Sequence, residues 1–333
     1  MKEWFDLSEK DRKDIIIQTS VEIGLPPAAI EKDWWVIIVL RAIFNTKFAD
    51  HLVFKGGTSL SKAWGIIERF SEDIDLAMDR SYFGFDGDLS RKQVTNLRKA
   101  SCKFVNEEFK QCLSDILIAQ NVKDFELSTL EFERSDTDPV AIELKYKSLT
   151  ENINYLQPRI LIEISSRSLR DPYQNRKLIS FIGEKYPSTP FADKPIQIPT
   201  VVPTRTLFEK IFLLHEEFQK PTNIPIKSGR MTRHLYDISR LMDTQFLEEA
   251  LSDKALYVTI VKHRELLTNV TWVDYTRHGR ATINFIPPES VMAEWSQDYK
   301  EMQESMFYGE TETFKNLIEK LKNLNERINK IGL

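Results

Sequence analysis

The sequence predicts an α+β fold followed by a helical C-terminal region. Before about residue 200, short apolar and alternating segments typical of strands lie between amphipathic helical stretches. Beyond Thr200 the apolar residues recur with helical spacing. Five prolines fall between Pro187 and Pro203, where they interrupt any long regular element. We therefore predict an α+β region at residues 1–195 and a helical region at residues 196–333.

Local signals place the individual elements. Ser8 suits the N-cap of a first helix that runs to about Ser20. A second helix follows Pro26 and Pro27 and ends near Phe44. The remaining elements are predicted as strands at His51–Phe54, Asp73–Met78, Phe125–Phe132, Ala141–Lys147 and Arg159–Ser165, and as helices at Thr58–Ile67, Lys92–Leu117, Thr204–Phe218, Arg230–Asp243, Phe246–Leu267 and from about Pro288.

Composition excludes several classes of protein. A net charge of −4 argues against a general polyanion-binding surface, so any nucleic-acid contact must come from a local basic patch. Cys102 and Cys112 lack zinc-type partners, which predicts reduced thiols and a cytoplasmic location. The N-terminus carries no apolar signal core, and the longest apolar run, Trp34–Leu40, is too short to cross a membrane. No P-loop motif occurs.

Residues 54–59 (FKGGTS) place two glycines, Gly56 and Gly57, directly after a short apolar run. Glycine adopts positive φ and carries no side chain, so this turn lets backbone N–H groups come close to a phosphate. The helix predicted to begin at Thr58 would bring its N-terminus and the Thr58 and Ser59 hydroxyls to the same ligand. Taken alone, however, Gly-Gly is more often only a tight turn, and such hydroxyls often only cap a helix.

Residues 69–76 (RFSEDIDL) carry two carboxylates, Asp73 and Asp75, at alternate positions of an apolar run. On a strand the two side chains project from one face, while Ile74 and Leu76 point into a core. Their Cα atoms would lie about 7 Å apart, which lets the carboxylates converge on two metal ions about 3.5–4 Å apart. Taken alone, D-x-D is more often the solvated face of an edge strand.

The glycine segment followed by the D-x-D segment is a much more specific signal than either segment alone. The two segments resemble the signature of DNA polymerase beta-like nucleotidyltransferases, and more closely that of the AbiEii/AbiGii toxins of bacterial abortive-infection and toxin–antitoxin pairs. Fifteen residues separate Gly57 from Asp73, slightly more than the general pattern favours, and an added helical turn would accommodate them. The resemblance covers roughly residues 28–245.

The resemblance implies a function. Such a protein would transfer a nucleoside monophosphate from an NTP to an acceptor hydroxyl, with a tRNA 3′ end as the leading acceptor. Asp73 and Asp75 would hold two Mg²⁺ ions, Gly56 and Gly57 would cradle the phosphates, and a cognate antitoxin would be encoded nearby. The alternatives are transfer to a protein side chain, and a regulator that binds nucleotide or RNA without catalysis.

A third acidic ligand is also expected on a later strand. Glu163 interrupts an otherwise apolar strand, and a carboxylate there is costly to bury unless it is paired or binds metal. The alternative is an ion pair with Arg159 or Arg167. Glu143 is the second candidate, because it alternates with apolar residues on what reads as a half-solvated strand.

The helical region contains a second candidate cluster. Lys210 lies within an apolar helical stretch, and Asp237 lies on the next predicted helix in the segment RHLYD. The family carries a similar arrangement, which implies that Lys210 neutralises nucleotide phosphate and that Asp237 orients Lys210 or a substrate hydroxyl. The alternative for Asp237 is an ion pair with Arg233 or Arg240 on its own helix.

Two further groups of charged residues are recognisable. Between residues 204 and 240 there are seven Lys or Arg against four Asp or Glu, and Lys227, Arg230 and Arg233 are predicted to contact the RNA backbone. Residues 31–33 (EKD) recur in the family, but they read as the charged face of a helix whose other side is core.

Overall fold

The computed structural model describes residues 2–71, 73–130, 135–151 and 156–331. The chain forms two compact units. The sheet unit comprises Met1–Trp64 and Phe70–Val201, and the helical unit comprises Gly65–Arg69 and Val202–Leu333. Five residues from the middle of the first region thus belong to the second unit, which no local sequence signal predicts.

The sheet unit contains a seven-stranded mixed sheet in the order β3-β4-β5-β2-β1-β7-β6. The pairs β2–β5 and β1–β7 are parallel, and the other neighbours are antiparallel. The strands are β1 (Leu52–Lys55), β2 (Ile74–Met78), β3 (Phe125–Thr129), β4 (Val140–Tyr146), β5 (Arg159–Ser165), β6 (Tyr173–Leu178) and β7 (Ile196–Val201).

The two faces of the central strands differ in burial. Phe54, Leu76 and Ile164 are adjacent in register and fully buried, and they belong to the main hydrophobic core. The opposite face carries polar side chains and is only half-buried around Asp75 and Glu163. Because side chains alternate between faces along a strand, the sequence alternation itself creates this polar face.

Helices of the sheet unit begin and end close to the predicted positions. Ser8 caps the first long helix, its hydroxyl accepting a hydrogen bond from the Asp11 N–H at 3.1 Å. The helix after the glycines is shorter than predicted and begins at Gly56 itself. The helices are α1 (Lys2–Asp6), α2 (Glu9–Ile23), α3 (Pro27–Ile43), α4 (Gly56–Lys62), α5 (Arg91–Phe104), α6 (Lys110–Ala119), joined to α5 by a π-helical turn at Val105–Phe109, and α7 (Phe181–Lys185).

Two strands were not expected from the sequence. β7 lies inside the proline-rich stretch predicted to be a boundary, and Pro199 is one of its residues, opposite Asn175 of the edge strand β6. Proline is compatible with an extended backbone, and the register of β7 with β1 pairs Phe54 with Thr200, so Pro199 lies outside that ladder. Predicted strand Phe125–Phe132 ends at Thr129 in the structure, and its last two residues, Glu131 and Phe132, lie outside the described residues.

The helical unit follows the predicted pattern with two breaks, one of which separates α12 from α13 within the stretch predicted from about Pro288. The helix predicted over Phe246–Leu267 is divided at Asp253, whose side chain accepts a hydrogen bond from the Leu256 N–H at 2.8 Å and caps the second part. Over the described residues, no helix is long and apolar enough to cross a membrane. The helices are α8 (Pro203–Glu217), α9 (Thr232–Met242), α10 (Gln245–Ser252), α11 (Lys254–His263), α12 (Met292–Ser305) and α13 (Phe314–Ile331).

Candidate functional site

The glycine turn lies directly against one carboxylate of the D-x-D pair. Gly56 has φ +80°, a backbone conformation that residues with a side chain rarely adopt. A Cβ atom at this position would lie 1.9 Å from Asp75 Oδ2 and 2.7 Å from its Cγ. The Asp75 carboxylate therefore occupies the space that any side chain at residue 56 would need, which explains glycine at this position.

The register of the sheet assembles a polar face around Asp75. Lys55 of β1 lies opposite Asp75 of β2, and Glu163 of β5 lies on the other side of Asp75. Paired residues of adjacent strands point to the same face, so Lys55, Asp75 and Glu163 share one side of the sheet. Asp73 immediately precedes β2, two positions from Asp75. The structure thus brings together the residues that the sequence placed on three separate segments.

The two hydroxyls after the glycines make internal hydrogen bonds. Thr58 is buried, and its hydroxyl donates to the Asp73 carbonyl oxygen at 2.5 Å. Ser59 is also buried and donates to the Gly56 carbonyl oxygen at 2.8 Å. Thr58 therefore links α4 to the residue that precedes the β2 strand, and Ser59 closes the turn.

Glu143 is placed differently from Glu163. Its partner across the β4–β5 pair is Leu161, and it is 4% exposed rather than half-solvated as expected. Arg159 contacts it at 2.6 Å and Lys145 at 3.2 Å. Burial alone would raise the pKa of Glu143, but these two cations outweigh it and keep the pKa below the ordinary value. Glu143 is thus a structural ion-pair partner.

The prediction that residues 31–33 form a solvated helix face is wrong, because all three are at most 3% exposed. Asp33 contacts Lys62, the last residue of α4, at 2.7 Å and accepts a hydrogen bond from the Phe181 N–H at 2.8 Å. Glu31 accepts hydrogen bonds from Ser148, Leu149 and Thr150, and Lys32 donates to the Gln157 carbonyl oxygen. These charges anchor other segments, and Asp33 anchors the helix that carries the glycines.

A buried charged cluster occupies the helical unit. Arg69 donates two hydrogen bonds to Asp237, from Nε at 2.7 Å and from a terminal nitrogen at 2.8 Å. Lys210 Nζ lies 2.8 Å from the second carboxylate oxygen. Arg69, Asp237 and Lys210 are 2%, 0% and 7% exposed. The alternative of a same-helix partner for Asp237 is wrong, since its ion pairs join it to Arg69 and Lys210, and Arg240 contacts Glu68 instead.

Burial and charge shift the protonation equilibria in this cluster. Burial alone would raise the pKa of Asp237, but Arg69 and Lys210 outweigh it and hold the pKa well below its usual range. Burial and the Arg69 charge lower the pKa of Lys210. His234 Nδ1 lies 3.5 Å from Lys210 Nζ, and burial together with the Lys210 charge lowers the His234 pKa far below its ordinary value. This lowered pKa favours the neutral imidazole of His234 beside the Lys210 ammonium group.

The donor set in the sheet unit suits magnesium bound together with a phosphate. Among the described residues, no three His, Cys, Asp or Glu side chains form a group that could hold a metal ion. Mg²⁺, however, usually takes only one or two carboxylates from the protein and completes its coordination with phosphate oxygens and water. Asp73 and Asp75, two positions apart at the start of β2, match this requirement.

A family model fits this arrangement. The model of the nucleotidyl transferase AbiEii toxin, Type IV TA system, matches residues 38–320. The chain belongs to the AbiEii family. No curated protein shows significant similarity to it. The match extends well beyond residue 245, where the resemblance in the sequence was expected to end, and it includes α12 and the first part of α13.

In this AbiEii-family chain, Arg69 is the main residue of the cluster that sequence reasoning missed. It was part of the quoted segment RFSEDIDL, but no role was predicted for it. No local signal pointed to Asp237, because Glu72 and Asp73, three and four residues after Arg69, are much nearer acidic residues in the sequence. No role was predicted for His234 either, and its contact to Lys210 joins two different helices.

The predicted RNA-binding residues lie at the start of α9. Lys227 and Arg230 are exposed, and Arg233 is half-buried. Arg230 has φ +61°, and its N–H donates to Asp298 Oδ1 at 2.5 Å, while the Thr232 N–H donates to Oδ2 at 3.0 Å. Asp298 of α12 thus fixes the backbone at the start of α9 and leaves two cationic side chains facing solvent.

Proposed function

We propose that this AbiEii-family nucleotidyltransferase transfers a nucleoside monophosphate from an NTP to an RNA hydroxyl, with a tRNA 3′ end as the leading acceptor. Family membership supports the reaction class and a toxin–antitoxin setting. The observation that carries the proposal is the position of Asp75, which lies between Lys55 and Glu163 in register and directly against the Gly56 backbone. A polymerase beta-like core would account for this strand–turn–helix–strand arrangement.

Asp73 and Asp75 are the residues that would hold Mg²⁺. Glu163 lies beside Asp75 in register and would become a third ligand only if its carboxylate moved closer on metal binding, since no three such side chains among the described residues form a metal-binding group. When bound, the metal would neutralise phosphate charge and lower the pKa of the attacking hydroxyl. Asp75 is half-exposed on the polar face of the sheet, so its carboxylate can meet a ligand without leaving the fold. Thr58 holds the Asp73 carbonyl oxygen, which sets the position of the residue before the strand.

The glycine turn is proposed to bind the phosphates through its backbone. Gly56 and Gly57 carry no side chains, so their N–H groups are open to close approach by an anion. The Thr58 and Ser59 hydroxyls would shape this turn through their internal hydrogen bonds. In the helical unit, Lys210 would bind a nucleotide phosphate as a cation, and Asp237 would hold its ammonium group in place.

The acceptor is proposed to be RNA because exposed cations occur together in an otherwise acidic protein. Lys227 and Arg230 are exposed just before α9, Arg233 is half-buried in its first turn, and these three side chains would contact phosphates of the RNA. Modification of a tRNA 3′ end would block aminoacylation and stop growth, which suits a toxin. A cognate antitoxin is the implied partner.

The proposal is tested by incubating the purified protein with total bacterial tRNA, Mg²⁺ and each α-³²P-labelled NTP in turn. We expect label in RNA with at least one NTP, and its loss in Asp75→Asn. Glu126→Gln is the matched control, since Glu126 is an exposed carboxylate on β3 of the same sheet. Label in protein rather than RNA would show that the acceptor is a protein side chain. Binding of Mg²⁺–NTP without pyrophosphate release would contradict catalysis.

A further inference from the structure

The segment Gly65–Arg69 is held inside the helical unit by contacts along its length. The Glu68 N–H donates to the Tyr236 hydroxyl at 3.2 Å, and the Glu68 carbonyl oxygen accepts from the Tyr308 N–H at 3.0 Å. Glu68 also pairs with Arg240 at 3.1 Å. Arg69 itself forms an antiparallel bridge with Phe307. The segment is thus fixed from two sides, by α9 and by the chain after α12.

These contacts place the Arg69 side chain against the fully buried Asp237 carboxylate. Arg69 binds Asp237 through two nitrogens, a planar geometry that fixes both the position and the rotation of the carboxylate. The Asp237 oxygen that receives the second of these bonds also contacts Lys210 Nζ at 2.8 Å. Any rotation of the carboxylate would therefore move the Lys210 ammonium group.

We infer that Arg69 is a positioning residue that fixes the Asp237 carboxylate and, through it, the Lys210 ammonium group. This inference rests on the proposed function, in which Lys210 binds a nucleotide phosphate. Lysine cannot replace arginine in this role, because an ammonium group is a single point of charge and does not set the plane of a carboxylate.

Charged groups act on Lys210 with opposite signs. Asp237 attracts its ammonium group, while Arg69 and Arg233 repel it. His234 Nδ1 lies 3.5 Å from Lys210 Nζ. Arg69 thus has two effects on Lys210, since it orients the carboxylate that holds the ammonium group and contributes a nearby positive charge.

The decisive experiment is a double-mutant cycle with Arg69→Lys and Lys210→Met. Both kcat/KM for labelling of RNA and the Kd for Mg²⁺–NTP are measured, with thermal unfolding to confirm folding. We expect Arg69→Lys to lower kcat/KM about tenfold in the otherwise unchanged chain, chiefly through weaker NTP binding, and less than twofold when Lys210 is already Met. Residues that act through one another give such non-additive losses.

Arg240→Lys is the matched control. Arg240 contacts the same segment through Glu68 but has no ion pair with Asp237. Its replacement should change kcat/KM less than twofold, and by the same factor in both backgrounds. An equal loss for Arg69→Lys in both backgrounds would overturn the positioning role and leave the proposed function standing.

A second measurement does not depend on activity. The rate at which acetic anhydride modifies Lys210 is followed against pH by peptide mass spectrometry in the full chain and in Arg69→Gln. Loss of the Arg69 charge should raise the apparent pKa of Lys210 and slow its modification at a given pH. Faster modification would show that the weakened hold of Asp237 on Lys210 outweighs the lost Arg69 charge, and modification at the same rate would refute a dominant charge effect of Arg69 on Lys210. Absence of NTP binding by the unmodified protein would instead refute the proposed function.

Discussion

Two charged regions are built in opposite ways: the polar face of the sheet unit and the buried charged cluster of the helical unit. Asp75 and Glu163 are half-exposed on strands whose other face is core, so their backbone is fixed by apolar neighbours. Asp237 and Lys210 are almost completely buried, and their positions depend on ionic contacts with Arg69 and with each other. The charges of the sheet unit lie on the surface of a rigid sheet, whereas those of the helical unit are part of the protein interior.

Because of this difference in burial, a charge change in the sheet unit should affect mainly activity, and one in the helical unit should affect mainly the free energy of unfolding. A carboxylate on a half-exposed sheet face can be neutralised at little cost to folding, because water solvates what remains. A carboxylate buried between two cations cannot, because its loss leaves those charges in the interior without compensation. The same chemical change should therefore have different effects in the two units.

The largest expected effect is on catalysis, in the sheet unit. Asp75→Asn removes one of the two charges proposed to hold the metal, and several kcal/mol of transition-state stabilisation correspond to a loss of about 10³-fold in labelling rate. The free energy of unfolding in urea should change by less than about 0.5 kcal/mol. A large loss of stability would contradict the view that this face is separate from the core.

The next effect is on folding, in the helical unit. Asp237→Asn leaves the buried Arg69 and Lys210 without their carboxylate and should lower the free energy of unfolding by about 3–5 kcal/mol. Since Arg69 and Lys210 keep the Asp237 pKa below its unfolded value, this contribution is complete above the unfolded pKa of about 3.9 and declines as the pH falls below it.

Urea unfolding at pH 7, 5, 4 and 3 measures this dependence. The difference between the unchanged chain and Asp237→Asn should be constant from pH 7 to 5 and should shrink below about pH 4. A difference that grows on acidification would show that Asp237 is protonated in the folded protein, contrary to the ionic cluster.

A third comparison concerns backbone contacts in the sheet unit. Gly56→Ala would place a Cβ atom 1.9 Å from Asp75 Oδ2 in a chain at φ +80°, so both strain and displacement of the carboxylate are expected. Gly84→Ala is the control, because Gly84 has φ +77° and no atom lies within 4 Å of its added Cβ. Both should lose about 1 kcal/mol of stability, but only Gly56→Ala should lose labelling, by about 10–100-fold. Equal activity of the two variants would refute the role of this contact.

The smallest loss of activity is expected from a change at Gly309, in the segment after α12 that contacts residues 65–69. An added Cβ at Gly309 would lie 2.5 Å from Glu68 Cβ, so Gly309→Ala must shift the segment that carries Arg69. Gly279→Ala meets only Thr282 Oγ1, at an ordinary 3.7 Å, and serves as the control. We expect a few-fold loss of labelling and about 1–2 kcal/mol of stability for Gly309→Ala alone, measured by thermal unfolding and RNA labelling.

In the sheet unit the sequence predicted local structure well because its signals are local. The alternation in residues 73–76 predicts both carboxylates on one face, and the glycine pair predicts a turn with positive φ, which Gly56 adopts. Strand β5 was predicted over its observed bounds. The metal-binding, nucleotide-binding and RNA-binding roles remain predictions.

Elsewhere the same local reasoning failed for a physical reason. Residues 31–33 have the composition of a solvated helix face, yet each is buried by a partner more than twenty residues away: Lys62 for Asp33, residues 148–150 for Glu31 and Gln157 for Lys32. A charged side chain can be buried only where a distant segment compensates it, and no periodicity records that segment.

By itself, therefore, the sequence determined the family, the α+β and helical regions, and the alternation that creates an acidic face beside a glycine turn. The tertiary structure decided which charges are buried and which residue pairs with which: Arg69 with Asp237, Asp33 with Lys62, and Glu143 with Arg159. The reason is range. Periodicity and turn chemistry act over a few neighbouring residues, whereas an ion pair in the interior joins segments that only the folded chain brings together.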